Sequence, residues 1–182
     1  MEVWQEIAED QERGARRLVA ECGDRLYNAA FLLCRDESAA EDLVFRTLTL
    51  AVRRIGQYGK KSSFYNWLYS IMLNLYRSAR RKMKAQTFPT GEIPDDAPCA
   101  WAEAGDRIAP DEASMIRRAV RSLPPIFREV VVLRYFEDKS LLEIMDLLSV
   151  PLSTVKSRLR LAQAKLNVLL GDVFVESKRR LT

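Results

Sequence analysis

The chain of 182 residues has no histidine and only three cysteines, Cys22, Cys34 and Cys99. The cysteines are widely spaced and none belongs to a CxxC pair. Metal centres of the usual Cys/His type are thereby excluded, and no cofactor site is expected. Scattered thiols of this kind read as free thiols in a reducing compartment. Long hydrophobic runs are also missing. The stretch Val130–Phe136 is interrupted by Arg134 and falls far short of the ~20 residues of a membrane span. The opening residues, MEVWQEIAEDQERGARR, lack the apolar core of a signal peptide. A cytoplasmic protein without a membrane partner is expected. A helical hydrolase finds no support either: there is no histidine, no phosphate-cradling glycine loop and no nucleophile–base motif. Neither catalysis nor a small-molecule substrate is expected.

One further absence is local. Between Leu43 and Gly91 there is no Asp or Glu, while ten Lys and Arg fall there. The net charge of the whole chain is only +4, but it is unevenly placed. Residues 1–82 carry +3, residues 83–112 carry −5 and residues 113–182 carry +6. Two basic ends with an acidic middle suggest two surfaces for a polyanion.

What is present is helical periodicity. Trp4, Ile7, Ala8, Gln11, Ala15, Leu18 and Cys22 recur at spacings of three and four. Gly23 is expected to end that helix, with a second from Asp24 to Cys34. Ser38 and Glu41 form a capping-box pattern before an apolar face of Ala40, Leu43, Val44, Thr47, Leu48, Ala51, Val52 and Ile55, stopped by Gly56. After the loop GQYGKKSS, Ser62 or Ser63 is placed to cap a helix from Phe64 to about Lys84. Its expected core stripe is Phe64, Trp67, Leu68, Ile71, Leu75 and Ala79. Residues 1–85 thus make one helical domain. Residues 86–110 hold four prolines and an acidic excess, and read as a flexible linker joining two small domains. Beyond it, Asp111 is a candidate cap, Pro124 and Pro125 suit a first turn, and Ser140 with Glu143 forms a second capping box. No alternation of strand type is found. The fold class is all-α, in two domains, with residues 111–182 forming the second.

The stretch STVKSRLR, Ser153–Arg160, raises a question of charge. Ser153 looks like a helix N-cap, yet Lys156, Arg158 and Arg160 crowd the end of the helix that repels cations. A polyanion docked there removes the conflict. A short capped helix, a four-residue turn and a second helix suggest a helix-turn-helix. With Val155, Leu159, Ala162, Leu166 and Leu169 facing inward, Thr154, Lys156, Ser157, Arg160, Leu161 and Ala164 face out at about 100° per residue. Arg158 lies on the flank, where it could pair with Glu143 or touch DNA. Such a face suits base edges and phosphates.

The segment RSLPPIFREVVVLRYFEDKSLLEIMDLLSVPLSTVKSRLRLAQAKL resembles region 4 of bacterial sigma factors. The resemblance implies that Ser153, Thr154, Lys156, Ser157, Arg158 and Arg160 read the −35 promoter element. Met145, Ser149, Ser153, Leu161 and Gln163 depart from the usual pattern: the first three stand where small residues are common, the last two where bases are common.

The segment SAAEDLVFRTLTLAVRRIGQYGKKSSFYNWLYSIMLNLYRSARRKMK looks like sigma region 2. Tyr65, Tyr69, Met72 and Tyr76 lie off the expected core stripe, among Lys60, Lys61, Asn66, Asn74, Arg77, Arg80, Arg81 and Lys82. Aromatic faces stack on unpaired bases, and cations hold the backbone. By resemblance Lys60, Lys61, Ser62, Ser63, Tyr65, Asn66, Tyr69, Asn74, Arg77, Arg80 and Arg81 capture and open the −10 element. The same resemblance implies that the outward face Glu41, Asp42, Phe45, Arg46, Thr49, Leu50 and Arg53 binds core RNA polymerase. Phe45-Arg46 replaces a frequent Gln-Glu.

Together, in this order and joined by an acidic linker, the two modules resemble the extracytoplasmic-function group over roughly residues 12–170. The partners implied are core RNA polymerase and promoter DNA, on the nucleoid during initiation; an anti-sigma factor is common in the group. The rival readings are a two-domain helix-turn-helix regulator acting without polymerase, and a sigma-like decoy that binds protein alone.

Overall fold

The computed structural model describes residues 2–87 and 112–180 of the chain, with side chains over 2–83 and 113–171. Gln86 and Thr87 of the expected linker still belong to a helix, and the rest of it, with Asp111 and Cys99, lies outside the described residues. Among the described residues every regular element is helical. The chain folds as two units, Met1–Ile93 and Pro94–Thr182. None of the described helices is long and apolar enough to cross a membrane.

The first unit opens with α1 (Val3–Glu9) and α2 (Gln11–Cys34). The helix break therefore falls at Asp10 and not at Gly23. Asp10 is extended and its carboxylate accepts the Arg13 N–H at 3.1 Å. An interior glycine costs about 1 kcal/mol relative to alanine. The buried face of α2, with Leu18, Leu26, Ala29, Ala30 and Leu33, outweighs that. Gly14 matters for a different reason. A Cβ there would sit 2.5 Å from the Cα of Ile7, so only glycine lets α1 fold back this tightly on α2. Two ion pairs close the joint: buried Glu6 meets Arg13 at 2.6 Å and Arg17 at 2.9 Å.

Next comes α3 (Glu37–Arg53). Its cap is Asp36, whose carboxylate accepts the Ala39 N–H at 2.7 Å, rather than Ser38. Asp36 reaches the same orphan donors one residue before the helix begins, which leaves Ser38 in the first turn. Ala40, Leu43, Val44, Thr47, Leu48 and Ala51 are buried, close to the expected face. The Thr47 hydroxyl donates to the Leu43 carbonyl at 2.7 Å, so its burial leaves no lone donor. Gly56 does not stop the helix by itself; it lies in a 3-10 turn, Ile55–Gln57, that follows it.

The long helix α4 (Phe64–Thr87) packs on α2 and α3. Ser63 is its cap, with its hydroxyl accepting the Asn66 N–H at 3.2 Å. The buried arc differs from the expected stripe. It runs from Ile71 through Leu68, Met72, Tyr76 and Tyr69 to Leu73 and Asn66, while Trp67, Leu75 and Ala79 are half-buried. Packed against both α2 and α3, this helix buries a wider arc than a single stripe, and the centre of the arc is turned by about 80°.

The second unit begins with α5 (Glu112–Ser122) and α6 (Pro125–Val131). Pro125 stands at the first helical position, where its missing N–H costs nothing. Without a break α6 continues into a π turn, Val132–Phe136, in which the Glu137 N–H reaches the Val132 carbonyl at 3.0 Å. Then follow α7 (Leu141–Leu148) and α8 (Leu152–Arg180). The Ser140–Glu143 capping box is present in both directions. Ser149, left-handed at φ 53°, closes α7. Ser153 is not the cap of α8. The helix starts one residue earlier, at Leu152, and the Pro151 carbonyl accepts the Val155 N–H at 3.1 Å. The backbone of α8 also runs beyond the expected end near Leu170.

Candidate nucleic-acid interface

In the second unit α8 packs on α5, α6 and α7. Val155, Leu159 and Ala162 are buried, and Leu166 and Leu169 half-buried. That anchors the helix with its opposite side outward. Ser153, Lys156, Ser157, Arg160, Leu161 and Ala164 are exposed, while Thr154 and Arg158 are half-buried at the margins. The turn between α7 and α8, residues 149–151, thus leads into a helix whose first three turns expose two cations and two hydroxyls. Leu161, 44% exposed, adds an apolar contact on the same side. Gln163 donates from Nε2 to the Tyr135 hydroxyl at 2.6 Å, linking α8 to the π turn.

In the first unit the expected residues separate into two groups. Lys60, Lys61, Ser62, Ser63, Asn74 and Arg81 are exposed, and Arg77 and Arg80 are half-buried. Tyr69 is 0% exposed and Asn66 7%. They belong to the buried arc of α4, so the expected open aromatic face of Tyr65, Tyr69 and Tyr76 is not what the fold presents. The Tyr65 ring is half-buried and is covered by the Arg25 guanidinium at 4.2 Å from its centroid.

The loop before α4 is held by residues that periodicity does not reveal. Tyr58 lies 5.3 Å from Phe64, 5.5 Å from Trp67 and 5.9 Å from Trp4, ring centroid to ring centroid. Its hydroxyl donates to the Ser62 carbonyl at 2.8 Å. Lys60 is left-handed at φ 56° and sets its ammonium 4.0 Å from the centre of the Trp4 ring. Trp4 and Tyr58 are far apart in sequence, which hides their partnership.

On α3 the expected outward face is on the surface. Glu41, Asp42, Phe45, Arg46 and Arg53 are exposed, and Thr49 and Leu50 half-buried. Phe45 is the most open large apolar side chain among the described residues, at 70%. Arg46 pairs with Asp42 at 3.2 Å, one helical turn away.

Two helical units, one ending in a helix-turn-helix with an outward cationic helix, define a DNA-binding protein of transcription. Family comparison gives the group. Sigma-70 region 2 matches residues 18–86, and Sigma-70, region 4 matches residues 113–166. The ECF RNA polymerase sigma factor SigM of Mycobacterium tuberculosis is 31% identical over 148 residues, covering 81% of this chain and 72% of SigM. The ECF RNA polymerase sigma factor SigW of Bacillus subtilis is 26% identical over 159 residues, covering 82% and 85%. Among solved structures, the sigma factor RpoE in complex with the anti-sigma factor NepR, from Bartonella quintana, shares the fold. Its TM-score is 0.67 at 23% identity, over 86% of this chain and 96% of that one. The chain belongs to the ECF sigma factors of RNA polymerase and is a transcription initiation factor.

Proposed function

We propose that the protein divides promoter recognition between its units in the following way. Lys156, Ser157 and Arg160 of α8, flanked by Ser153, Thr154 and Arg158, read the −35 element in the major groove. Exposed N–H groups and cations at the helix start share one anionic partner there. Lys60, Lys61, Ser62 and Ser63, with Asn74, Arg77, Arg80 and Arg81 along α4, hold the opened −10 strand. Tyr65 supports this surface through its contact with Arg25, and Asn66 and Tyr69 support it from within the core. The face of α3 from Glu41 to Arg53, centred on Phe45, docks on core RNA polymerase. The protein itself is not an enzyme; it acts in the cytoplasm, on the nucleoid, and the polymerase supplies catalysis. By analogy with the RpoE–NepR complex, an anti-sigma factor is a natural partner.

The observation that carries this reading is the conjunction, in one chain, of an exposed cationic recognition helix with a lysine–serine loop at the head of α4. A regulator working without polymerase has no use for the second, and a protein-binding decoy has no use for either. The test is transcription with purified core enzyme on promoters selected by the reconstituted holoenzyme. Initiation is expected only with both components. The protein alone is expected to bind duplex weakly and with steep salt dependence. Tight, sequence-specific duplex binding without polymerase would establish the regulator instead.

A further inference from the structure

Loop 59–63 is exposed, yet it is not loosely built. A lysine at positive φ is an uncommon conformation that persists only where its surroundings hold it. At Lys60 the surroundings are Trp4, under the ammonium, and Tyr58, bonded to Ser62 two residues on. Trp4 comes from α1, which contacts the 3-10 turn before the loop. It is only half-buried. The docking of α1 has anchors besides it: Val3 and Ile7 are buried and Glu6 is paired to Arg13 and Arg17.

We propose that Trp4 is a positioning residue for −10 recognition: its ring fixes the conformation of Lys60, and through it the loop that receives the unpaired strand. This deepens the reading above and rests on that loop touching the −10 element. The role belongs to the ring face. A cation over an indole is held electrostatically, with a preference that an aliphatic side chain of similar bulk does not supply. Trp4 acts through Lys60 and need not touch DNA.

The experiment uses the reconstituted holoenzyme and a labelled single strand carrying the selected −10 sequence. A second strand carries a base substitution in that element. The readout is the ratio of the two dissociation constants. Trp4→Leu is expected to reduce the ratio about fivefold, and Trp4→Phe to retain most of it. Lys60→Ala is expected to match Trp4→Leu, and the double variant to add nothing further. Core affinity and amide-exchange protection of α1 should stay as in the parent protein. If α1 loses protection in Trp4→Leu, a polyfluorinated tryptophan at position 4 keeps the shape and weakens the ring face. It is then expected to give the same loss. Discrimination that survives the loss of the ring face while Lys60→Ala lowers it would overturn the role of Trp4 and leave the −10 reading standing. Additive effects of the two substitutions would overturn it equally. Unchanged discrimination in both Lys60→Ala and Ser62→Ala would sink the −10 reading itself.

Discussion

At the scale of single residues, Arg160 and Phe45 separate two kinds of exposed side chain. Arg160 follows one turn after Lys156 on the open side of α8, where it gains nothing from the core. Phe45 projects from α3 at 70% exposure beside an ion pair, Asp42–Arg46. Such a surface pair contributes little stability, and an open phenyl ring contributes less. Both are therefore free to engage partners. Arg160→Ala and Lys156→Ala should each weaken −35 binding by the holoenzyme and lower its salt slope by about one, with core affinity intact. Phe45→Asp should do the reverse, lowering core affinity in a pull-down or anisotropy titration while the free protein melts as before. Loss of polymerase binding in Arg160→Ala would show that its face had been assigned to the wrong partner. These two faces are legible in the sequence because each lies on a helix whose buried side is a single clean stripe.

At the scale of elements, legibility falls where packing widens a helix's buried arc or where a cap has a competitor. A single stripe on α4 selects Trp67 and Ala79, but packing against α2 and α3 buries Tyr69, Met72 and Tyr76 instead. Asp36 displaces Ser38 as a cap, and Asp10, not Gly23, breaks the first helical stretch. The α1–α2 joint leaves no periodic signal at all, since it depends on Gly14 and on three charges brought together by the fold. Its electrostatics give a pH prediction. The hydrogen bond from Arg17, opposed in part by burial and aided by the charges of Arg13 and Arg17, holds the Glu6 carboxyl below its ordinary value of 4.5. A lowered folded value means that the stabilisation is present above pH 4.5 and is lost as pH falls through the depressed value. Amide exchange in α1 should therefore accelerate on acidification ahead of α3. Glu6→Gln should already show faster exchange at about pH 7, with a flatter dependence below it. Equal behaviour of the variant and the parent would show that the pair does not secure α1.

At the scale of the whole molecule, fold class and two-unit division follow from helical periodicity and from the change of composition after residue 85. What the sequence could not disclose is long-range company: Trp4 with Tyr58 and Lys60, Arg25 with Tyr65, Gln163 with Tyr135. Each joins residues too far apart for any local pattern to link them. Charge, by contrast, is additive along the chain and is readable throughout.

The π turn at Val132–Phe136 bears on how this chain can vary in length. It accommodates more residues in its coil than an α turn does, with the Glu137 N–H reaching five positions back. Deleting one residue there would tighten it to an α turn of ordinary spacing and leave the direction of the following chain nearly unchanged, whereas the same deletion inside α8 would turn the rest of that helix by about 100°. A one-residue deletion at Tyr135 should therefore leave promoter-specific initiation measurable, while one at Leu161, which turns Ala162, Leu166 and Leu169 off the core, should abolish it. A deletion in the exposed Gly59–Lys61 loop should spare the second unit altogether, and a change of length in the coil should cost less than one within α8.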